Sequence, residues 1–127
     1  MLELRHITKR FGAVLANDDV NIAVAPQTIH AVVGENGAGK STAMRIAYGF
    51  YTADSGDVVI DGQARDIRTP RDAIAQGVGM VHQHFMLLEP MSVVENIVLG
   101  AEPGTRFSMN LRGASERIRA LSTELKL

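Results

Sequence analysis

One eight-residue segment, GENGAGKS at residues 34–41, constrains this chain more than any other feature. It matches G-x-x-x-x-G-K-[ST] at every fixed position, a pattern made by a strand, a glycine-rich loop and a helix in that order. Residues 29–33 are nearly all apolar, as in a strand covered on both faces. A helix is predicted from Lys40 to about Tyr48, and Gly49 is placed to end it. The sequence therefore predicts an α/β fold built around this loop.

The residue types in this loop suit the binding of phosphate groups. Glycine accepts positive φ, so the backbone can curl tightly and turn successive N–H groups toward one point. The helix that follows aims its positive end at the same point. Lys40 can reach the outer phosphates of a nucleotide, Ser41 offers a hydroxyl to Mg²⁺, and Thr42 can add a second hydroxyl. We predict ATP and Mg²⁺ as ligands, with the nucleotide held by Gly34, Glu35, Asn36, Gly37, Ala38, Gly39, Lys40, Ser41 and Thr42.

Short strands and one further helix are predicted in the rest of the first two thirds of the chain. The strands are predicted at residues 2–7, 20–24, 58–60 and 79–82. Asp61 and Gly62 form a strong turn pair. The sequence VVID at residues 58–61 therefore predicts a hairpin, not a strand that ends in a catalytic carboxylate. A Thr69 cap, a proline in the first turn and Asp72 predict a helix start.

The last part of the chain predicts two helices and a loop. Ser92 and Glu95 make a capping box that opens a helix through about Leu99. Residues 101–113 contain proline and glycine and predict a loop. The final helix places four apolar residues on one face: Ala114, Ile118, Leu121 and Leu125. No residue typical of a helix end follows, so we expect this helix to run on as if cut in the middle.

Composition excludes several classes of function. The 127 residues are 46% hydrophobic and 21% charged, which is ordinary for a soluble globular domain. Thirteen basic and 14 acidic residues make no basic surface for nucleic acid. The absence of cysteine excludes disulfides, thiolate metal sites and cysteine catalysis. No apolar run reaches the roughly 20 residues that cross a bilayer, so we expect any membrane role to come through a partner.

Three further segments narrow the choice among phosphate-loop proteins: KRFG at residues 9–12, VHQ ending at Gln83, and SVVENI from Ser92. Together with GENGAGKST they resemble the nucleotide-binding domain of ABC transporters, and within that family the ATPases of importers for simple sugars or nucleosides. The resemblance covers essentially the whole chain. It implies a P-loop NTPase core with an antiparallel β edge at residues 1–88, followed by the start of a helical subdomain at residues 89–127.

The resemblance also implies roles for two residues outside the loop. Phe11 corresponds to the aromatic residue that stacks on adenine, and a flat ring can hold a purine without hydrogen bonds. Gln83 corresponds to the glutamine that contacts Mg²⁺ and the attacking water. The implied catalytic residues are thus Lys40 and Gln83, and the implied metal ligands are Ser41 and Gln83. From residue type and spacing alone, Phe11 could equally be a core residue and Gln83 a solvated loop residue.

Partners follow from the same resemblance. The segment after Gln83 would face transmembrane permease subunits, and its apolar residues are Phe85, Met86, Leu87, Leu88, Met91 and Val94. A second ATPase domain would complete the site, a substrate-binding protein would act indirectly, and no nucleic acid is implied. The protein would then lie peripherally on the cytoplasmic face of the membrane. These apolar residues could also simply pack under the helix that starts at Ser92.

Two motifs of the family do not occur in these residues: an LSGGQ-type signature and a buried strand that ends in an Asp-Glu pair. We therefore expect the 127 residues to bind ATP without efficient turnover, and the full-length relative to hydrolyse it and drive uptake of a small polar solute. Two alternatives stay open at this point. One is a soluble ABC-type ATPase of translation or repair, and the other is a truncated, non-catalytic nucleotide-binding module.

Overall fold

The chain opens with a long β-hairpin. In the computed structural model, strand β1 (Leu2–Phe11) pairs antiparallel with strand β2 (Val14–Val24). Both strands extend further toward the turn than the apolar pattern predicted, so Phe11 lies at the tip of the hairpin, opposite Val14. The structure describes residues 1–82, 87–100, 104–105 and 108–126.

Two shorter strands complete an antiparallel sheet. Strand β3 (Ser55–Ile60) pairs with β1, and strand β4 (Gln63–Arg65) pairs with β3, which gives the order β2-β1-β3-β4. Asp61 and Gly62 join β3 to β4, and both have positive φ, as the tight turns of hairpins require. The prediction of a hairpin at this point is confirmed. The Asp61 carboxylate accepts a hydrogen bond from the N-terminal ammonium at 2.7 Å, which lowers the pKa of Asp61.

The helix after the glycine-rich loop packs its apolar side on this sheet. Helix α1 spans Lys40–Ala47, close to the predicted bounds. Ile46 is fully buried against the sheet residue Ile7, because the helical spacing of the apolar residues places them on one face. The buried core residues that pack together are Leu4, Ile7, Ala43, Ile46, Ala47, Val58, Ile60, Ile67 and Ala73.

Gly49 ends α1 and lies against the next helix start. Its φ is +79°, and a Cβ added there would lie 2.5 Å from the carbonyl oxygen of Thr69. Thr69 is the N-cap of helix α2 (Pro70–Ala75). The predicted capping box is confirmed: the Thr69 hydroxyl accepts from the Asp72 N–H, and the Asp72 carboxylate accepts from the Thr69 N–H. Hydrogen bonds from Thr69 and Arg68 lower the pKa of Asp72.

Two predicted strands are absent from the fold. Residues 29–33 and 79–82 are described, and neither segment belongs to a strand. Ile29 is fully exposed, Val33 is 88% exposed and Val81 is 87% exposed. A strand needs a partner for its backbone hydrogen bonds, and no described strand pairs with either segment. The apolar patterns were therefore wrong as predictions of strands within these residues.

Two compact units divide the chain, Met1–Val81 and His82–Leu127. The second unit contains helix α3 (Val93–Val98), and its predicted capping box between Ser92 and Glu95 is confirmed. Hydrogen bonds from Ser92 lower the pKa of Glu95. None of the helices in the described part of the chain is long and apolar enough to cross a membrane.

The last part of the second unit differs from the predicted loop. Strands β5 (Gly104–Thr105) and β6 (Ser108–Met109) form a short antiparallel pair there, and helix α4 (Leu111–Leu125) follows. The Asn110 side chain accepts from the Gly113 N–H at 2.9 Å and so starts α4 earlier than predicted. Contrary to the expectation that nothing ends this helix, Lys126 takes a left-handed conformation and caps it.

We predict that Gly49→Ala destabilises the chain more than Gly62→Ala does. Both glycines have nearly the same positive φ, +79° and +78°, so both variants lose about 1–2 kcal/mol to backbone strain. Only at Gly49 does the new methyl group meet a backbone oxygen, which adds about 1–3 kcal/mol. Urea unfolding of both variants measures the difference. Equal free energies of unfolding would contradict the packing described for Gly49.

Candidate functional site

The glycine-rich loop leads directly into α1. Gly37 and Gly39 have φ values of 86° and 83°, so the chain turns through left-handed backbone twice within three residues. The Ala38 N–H donates to the carbonyl of Glu35 at 3.2 Å, which closes the turn. Gly39 is the N-cap of α1, and its carbonyl accepts from the Ala43 N–H at 3.0 Å. The loop and the first turn of the helix therefore form one continuous structure.

Lys40 closes the loop from the helix side. Its Nζ donates to the carbonyl oxygens of Gly34 and Glu35, each at 2.7 Å. These bonds draw the two ends of the loop together and hold a positive charge over its backbone. A lysine head has three donors and no acceptor, so it can exchange these carbonyls for the oxygens of an anion.

The backbone of this segment offers hydrogen-bond donors for which the described residues supply no acceptor. Among the described residues, no acceptor meets the backbone N–H groups of Gly37, Gly39, Lys40 or Ser41. The last two belong to the first turn of α1, where N–H groups have no partner within the helix. Unpaired N–H groups beside a lysine and a helix start suit an anion, so the residues present fit a phosphate group.

Close packing fixes the loop against the hairpin. A Cβ added at Gly39 would lie 2.2 Å from the carbonyl oxygen of Ala16 and 2.9 Å from Nδ2 of Asn17, both on β2. Glycine is therefore required at this position by space as well as by φ. Asn17 is buried, and its Nδ2 donates to the Gly39 carbonyl at 3.3 Å. No sequence pattern singles out Asn17, because a single polar residue in a strand does not indicate a contact with a distant loop.

Phe11 lies in an aromatic and charged environment at the hairpin tip. Its ring is 42% exposed and meets Tyr51 edge-on, with centroids 5.1 Å apart and an interplanar angle of 69°. The Lys9 Nζ lies 5.5 Å from the centroid of the Phe11 ring. Lys9 also donates to Asp54 at 2.7 Å, and this bond, with the Arg10 N–H, lowers the pKa of Asp54. The motif gave no indication of Tyr51 or Asp54.

The structure therefore brings some of the predicted residues together. The loop residues form one site, and β2 connects that site to the hairpin tip that carries Phe11. Ser41 is exposed at the start of α1. Gln83 lies outside the described residues, as do Phe85 and Met86. In the part of the chain that the structure describes, no group of three or more His, Cys, Asp or Glu side chains could hold a metal.

The segment before α3 in the second unit is exposed and apolar but well held. Leu87, Leu88 and Met91 are exposed, whereas Val94 is half-buried. Asn96 fastens this segment: its Oδ1 accepts from the Leu88 N–H at 2.8 Å, and its Nδ2 donates to three carbonyls. These carbonyls belong to Leu88, Met91 and Ser92. Hydrogen bonds from Asn96 thus hold the backbone of this short, exposed apolar segment in place.

Comparison with known proteins places these features in a family. The family described as ABC transporter matches residues 17–127. A glucose import ATP-binding protein of Haloferax volcanii is 49% identical over 107 residues, which are 84% of this chain and 20% of that protein. A nucleoside import ATP-binding protein of Lactococcus lactis subsp. cremoris is 43% identical over 122 residues, which are 96% of this chain and 24% of that protein. The chain therefore spans only 20% to 24% of the length of these curated relatives.

Solved structures show the same relationship. A nucleotide-free ATP-binding cassette from an ABC transporter superposes with a TM-score of 0.72 at 32% identity, covering 82% of this chain and 42% of that one. The ADP conformation of an ATP-binding cassette gives a TM-score of 0.69 at 32% identity, covering 78% of this chain and 39% of that one. These likenesses confirm the predicted α/β phosphate-loop fold. Since the family match extends over most of its residues, the chain belongs to the ABC transporter family.

Proposed function

We propose that this chain is the ATP-binding part of an import ATPase, and that the loop at residues 34–41 binds the phosphates of ATP. The observation that carries the proposal is the position of Lys40, whose Nζ lies 2.7 Å from two loop carbonyls at the start of α1. The relatives that match most of the chain are import ATP-binding proteins for glucose and nucleosides, which supports a simple sugar or a nucleoside as the imported solute.

Phosphate binding would use groups that the loop already presents. The N–H groups of Gly37, Gly39, Lys40 and Ser41, which meet no acceptor among the described residues, would donate to phosphate oxygens. The Lys40 side chain would exchange its loop carbonyls for the outer phosphates. The side chains of Ser41 and Gln83 would hold Mg²⁺. When bound, Mg²⁺ neutralises the charge that spreads over the phosphates during transfer.

The base would be held at the hairpin tip. The ring of Phe11 is partly open to solvent and is supported on one side by Tyr51, so its orientation is fixed before a ligand arrives. A purine can stack on such a ring without hydrogen bonds to its edges. Because β2 runs from this tip to the contact with Gly39, one hairpin would support both ends of the nucleotide.

Partners would use the exposed apolar segment before α3. We propose the division of the chain into a nucleotide-binding core at residues 1–88 and the start of a helical subdomain at residues 89–127. The exposed residues Leu87, Leu88 and Met91 would contact transmembrane permease subunits, since an apolar surface held by Asn96 needs little reordering on binding. A second ATPase domain would complete the site. The protein would act peripherally at the cytoplasmic face of the membrane, with a substrate-binding protein supplying the solute.

Hydrolysis would be a property of the whole protein. Phosphoryl transfer needs a group that orients or deprotonates water in addition to the loop and Mg²⁺. Gln83 can orient a water molecule, but an amide does not accept its proton at neutral pH. The Asp61 carboxylate is already bound to the N-terminal ammonium. We therefore propose that the remaining catalytic groups lie outside these 127 residues.

We expect Lys40→Ala to abolish ATP binding, because it removes the one lysine that the structure places over the loop. Isothermal titration calorimetry with ATP and Mg²⁺ measures the affinity of each variant. Lys126→Ala is the matched control, since Lys126 caps α4 in the other unit. This variant should bind ATP with wild-type affinity. If Lys40→Ala retains wild-type affinity, the loop is not the phosphate site.

We expect Phe11→Ala to weaken ATP and GTP alike, by about 1–3 kcal/mol each, because stacking uses the face of the base. Phe50→Ala is the matched control: its ring is 46% exposed, close to the 42% of Phe11, and it packs on Tyr48 instead. Fluorescence titration of both variants with both nucleotides gives the comparison. Loss of ATP binding with GTP binding intact would show a hydrogen-bonded base site instead of stacking.

We expect residues 1–127 to bind ATP but to release phosphate at a rate no greater than the Lys40→Ala blank, whereas the complete ATPase turns over. Steady-state phosphate release from a purified, monodisperse sample measures this rate. Turnover near the median enzyme rate of roughly 10 per second would show that these residues contain a general base of their own. Glu35, Asp61 and Glu89 would then be the first carboxylates to replace.

A further inference from the structure

One buried amide lies directly against the phosphate loop. Asn17 is 4% exposed, and among the buried residues that the structure describes it is the one with a polar side chain. Its Nδ2 donates to the Gly39 carbonyl at 3.3 Å. Its Oδ1 is also buried and meets no hydrogen-bond partner within the described residues. An unpaired buried oxygen destabilises a fold, and an apolar residue of the same size would avoid that loss. Stability therefore does not explain this asparagine.

Because the peptide bond is planar, the contact of Asn17 with the Gly39 carbonyl also affects the direction of the Lys40 N–H. The carbonyl of Gly39 and the N–H of Lys40 belong to the same planar, trans peptide, so fixing the direction of one fixes the other. The Gly39 carbonyl accepts from Asn17 and from the Ala43 N–H, at 3.3 and 3.0 Å. Two donors thus hold this peptide plane, one from the helix and one from β2.

Because of its position in the hairpin, Asn17 connects the phosphate loop to the hairpin tip. Asn17 lies opposite Lys9 in the β1–β2 register, and the Lys9 Nζ lies over the ring of Phe11. The missing Cβ of Gly39 lets β2 approach to the distance at which the amide can reach the carbonyl. The strand that carries Asn17 therefore approaches the loop at Ala16 and Asn17, and it reaches the hairpin tip at Val14, three residues before Asn17.

We propose that Asn17 is a positioning residue for phosphate binding: through Gly39 it orients the Lys40 N–H and the start of α1 toward the phosphates. The proposal rests on the proposed function of the loop as the nucleotide site. Asn17 does not contact the nucleotide itself, so its replacement should weaken binding of the phosphate part and leave stacking of the base unchanged.

The test compares Asn17→Leu and Asn17→Asp with wild type, using inorganic triphosphate and ATP as ligands in calorimetry. Loss of one neutral hydrogen bond predicts roughly 3- to 10-fold weaker binding of both ligands in Asn17→Leu, by the same factor. Asn17→Asp keeps the shape but loses the donor and adds a negative charge, so its loss should be larger. The melting temperature of Asn17→Leu should stay unchanged or rise. Asn21→Leu is the matched control, since Asn21 is an exposed asparagine on the same strand that bonds to Asp19 and His6 and not to the loop.

Three results would overturn the proposal. Wild-type affinity for triphosphate in both Asn17 variants would show that the contact does not orient the site. If both variants bind more weakly and both also melt at a lower temperature than wild type, by the same amount, Asn17 has a structural role only. Failure of the wild-type chain to bind either ligand would contradict the proposed function of the loop, and the positioning role with it.

Discussion

The contact between Gly39 and β2 is the constraint on which the site depends. A methyl group at this position would lie 2.2 Å from the Ala16 carbonyl, so no other residue lets the loop close onto the hairpin. This contact sets where α1 begins, because Gly39 is its N-cap. The start of α1 in turn places Lys40 over the loop and leaves the N–H groups of Lys40 and Ser41 without an acceptor in the part of the chain that the structure describes. One close approach thus organises both the charge and the donors of the candidate site.

The loop and its helix could be predicted from the sequence because each fixed residue of the motif answers a local requirement. Positive φ at Gly37 and Gly39, a helix from Lys40 and an end at Gly49 all follow from residue type and spacing. The capping box at Thr69 and the hairpin turn at Gly62 are local in the same sense. The contacts of Asn17, Tyr51 and Asp54 could not be predicted, because each joins residues far apart in the chain through packing that no pattern records.

The two wrong strand predictions show the other limit of sequence patterns. The apolar residues at 29–33 indicate a strand covered on both faces, and residues 79–82 a further short strand; both interpretations assume neighbouring strands. No described strand pairs with either segment, and Ile29, Val33 and Val81 are exposed. An apolar pattern can therefore indicate a strand correctly only when the chain also supplies the partner for its hydrogen bonds. The capping boxes were predicted correctly, because their hydrogen bonds form between residues within four positions of each other and need no distant partner.

Phosphate binding by the backbone of the glycine-rich loop can be tested directly. The most direct measurement is the change in backbone amide resonances of ¹⁵N-labelled chain when inorganic triphosphate is added, since it reports on the N–H groups themselves. We expect the amides of Gly37, Gly39, Lys40 and Ser41 to shift together in a saturable way, whereas the amide of Gly62 in the β3–β4 turn should not shift. Saturable shifts of other amides, with these four unchanged, would contradict phosphate binding by the loop.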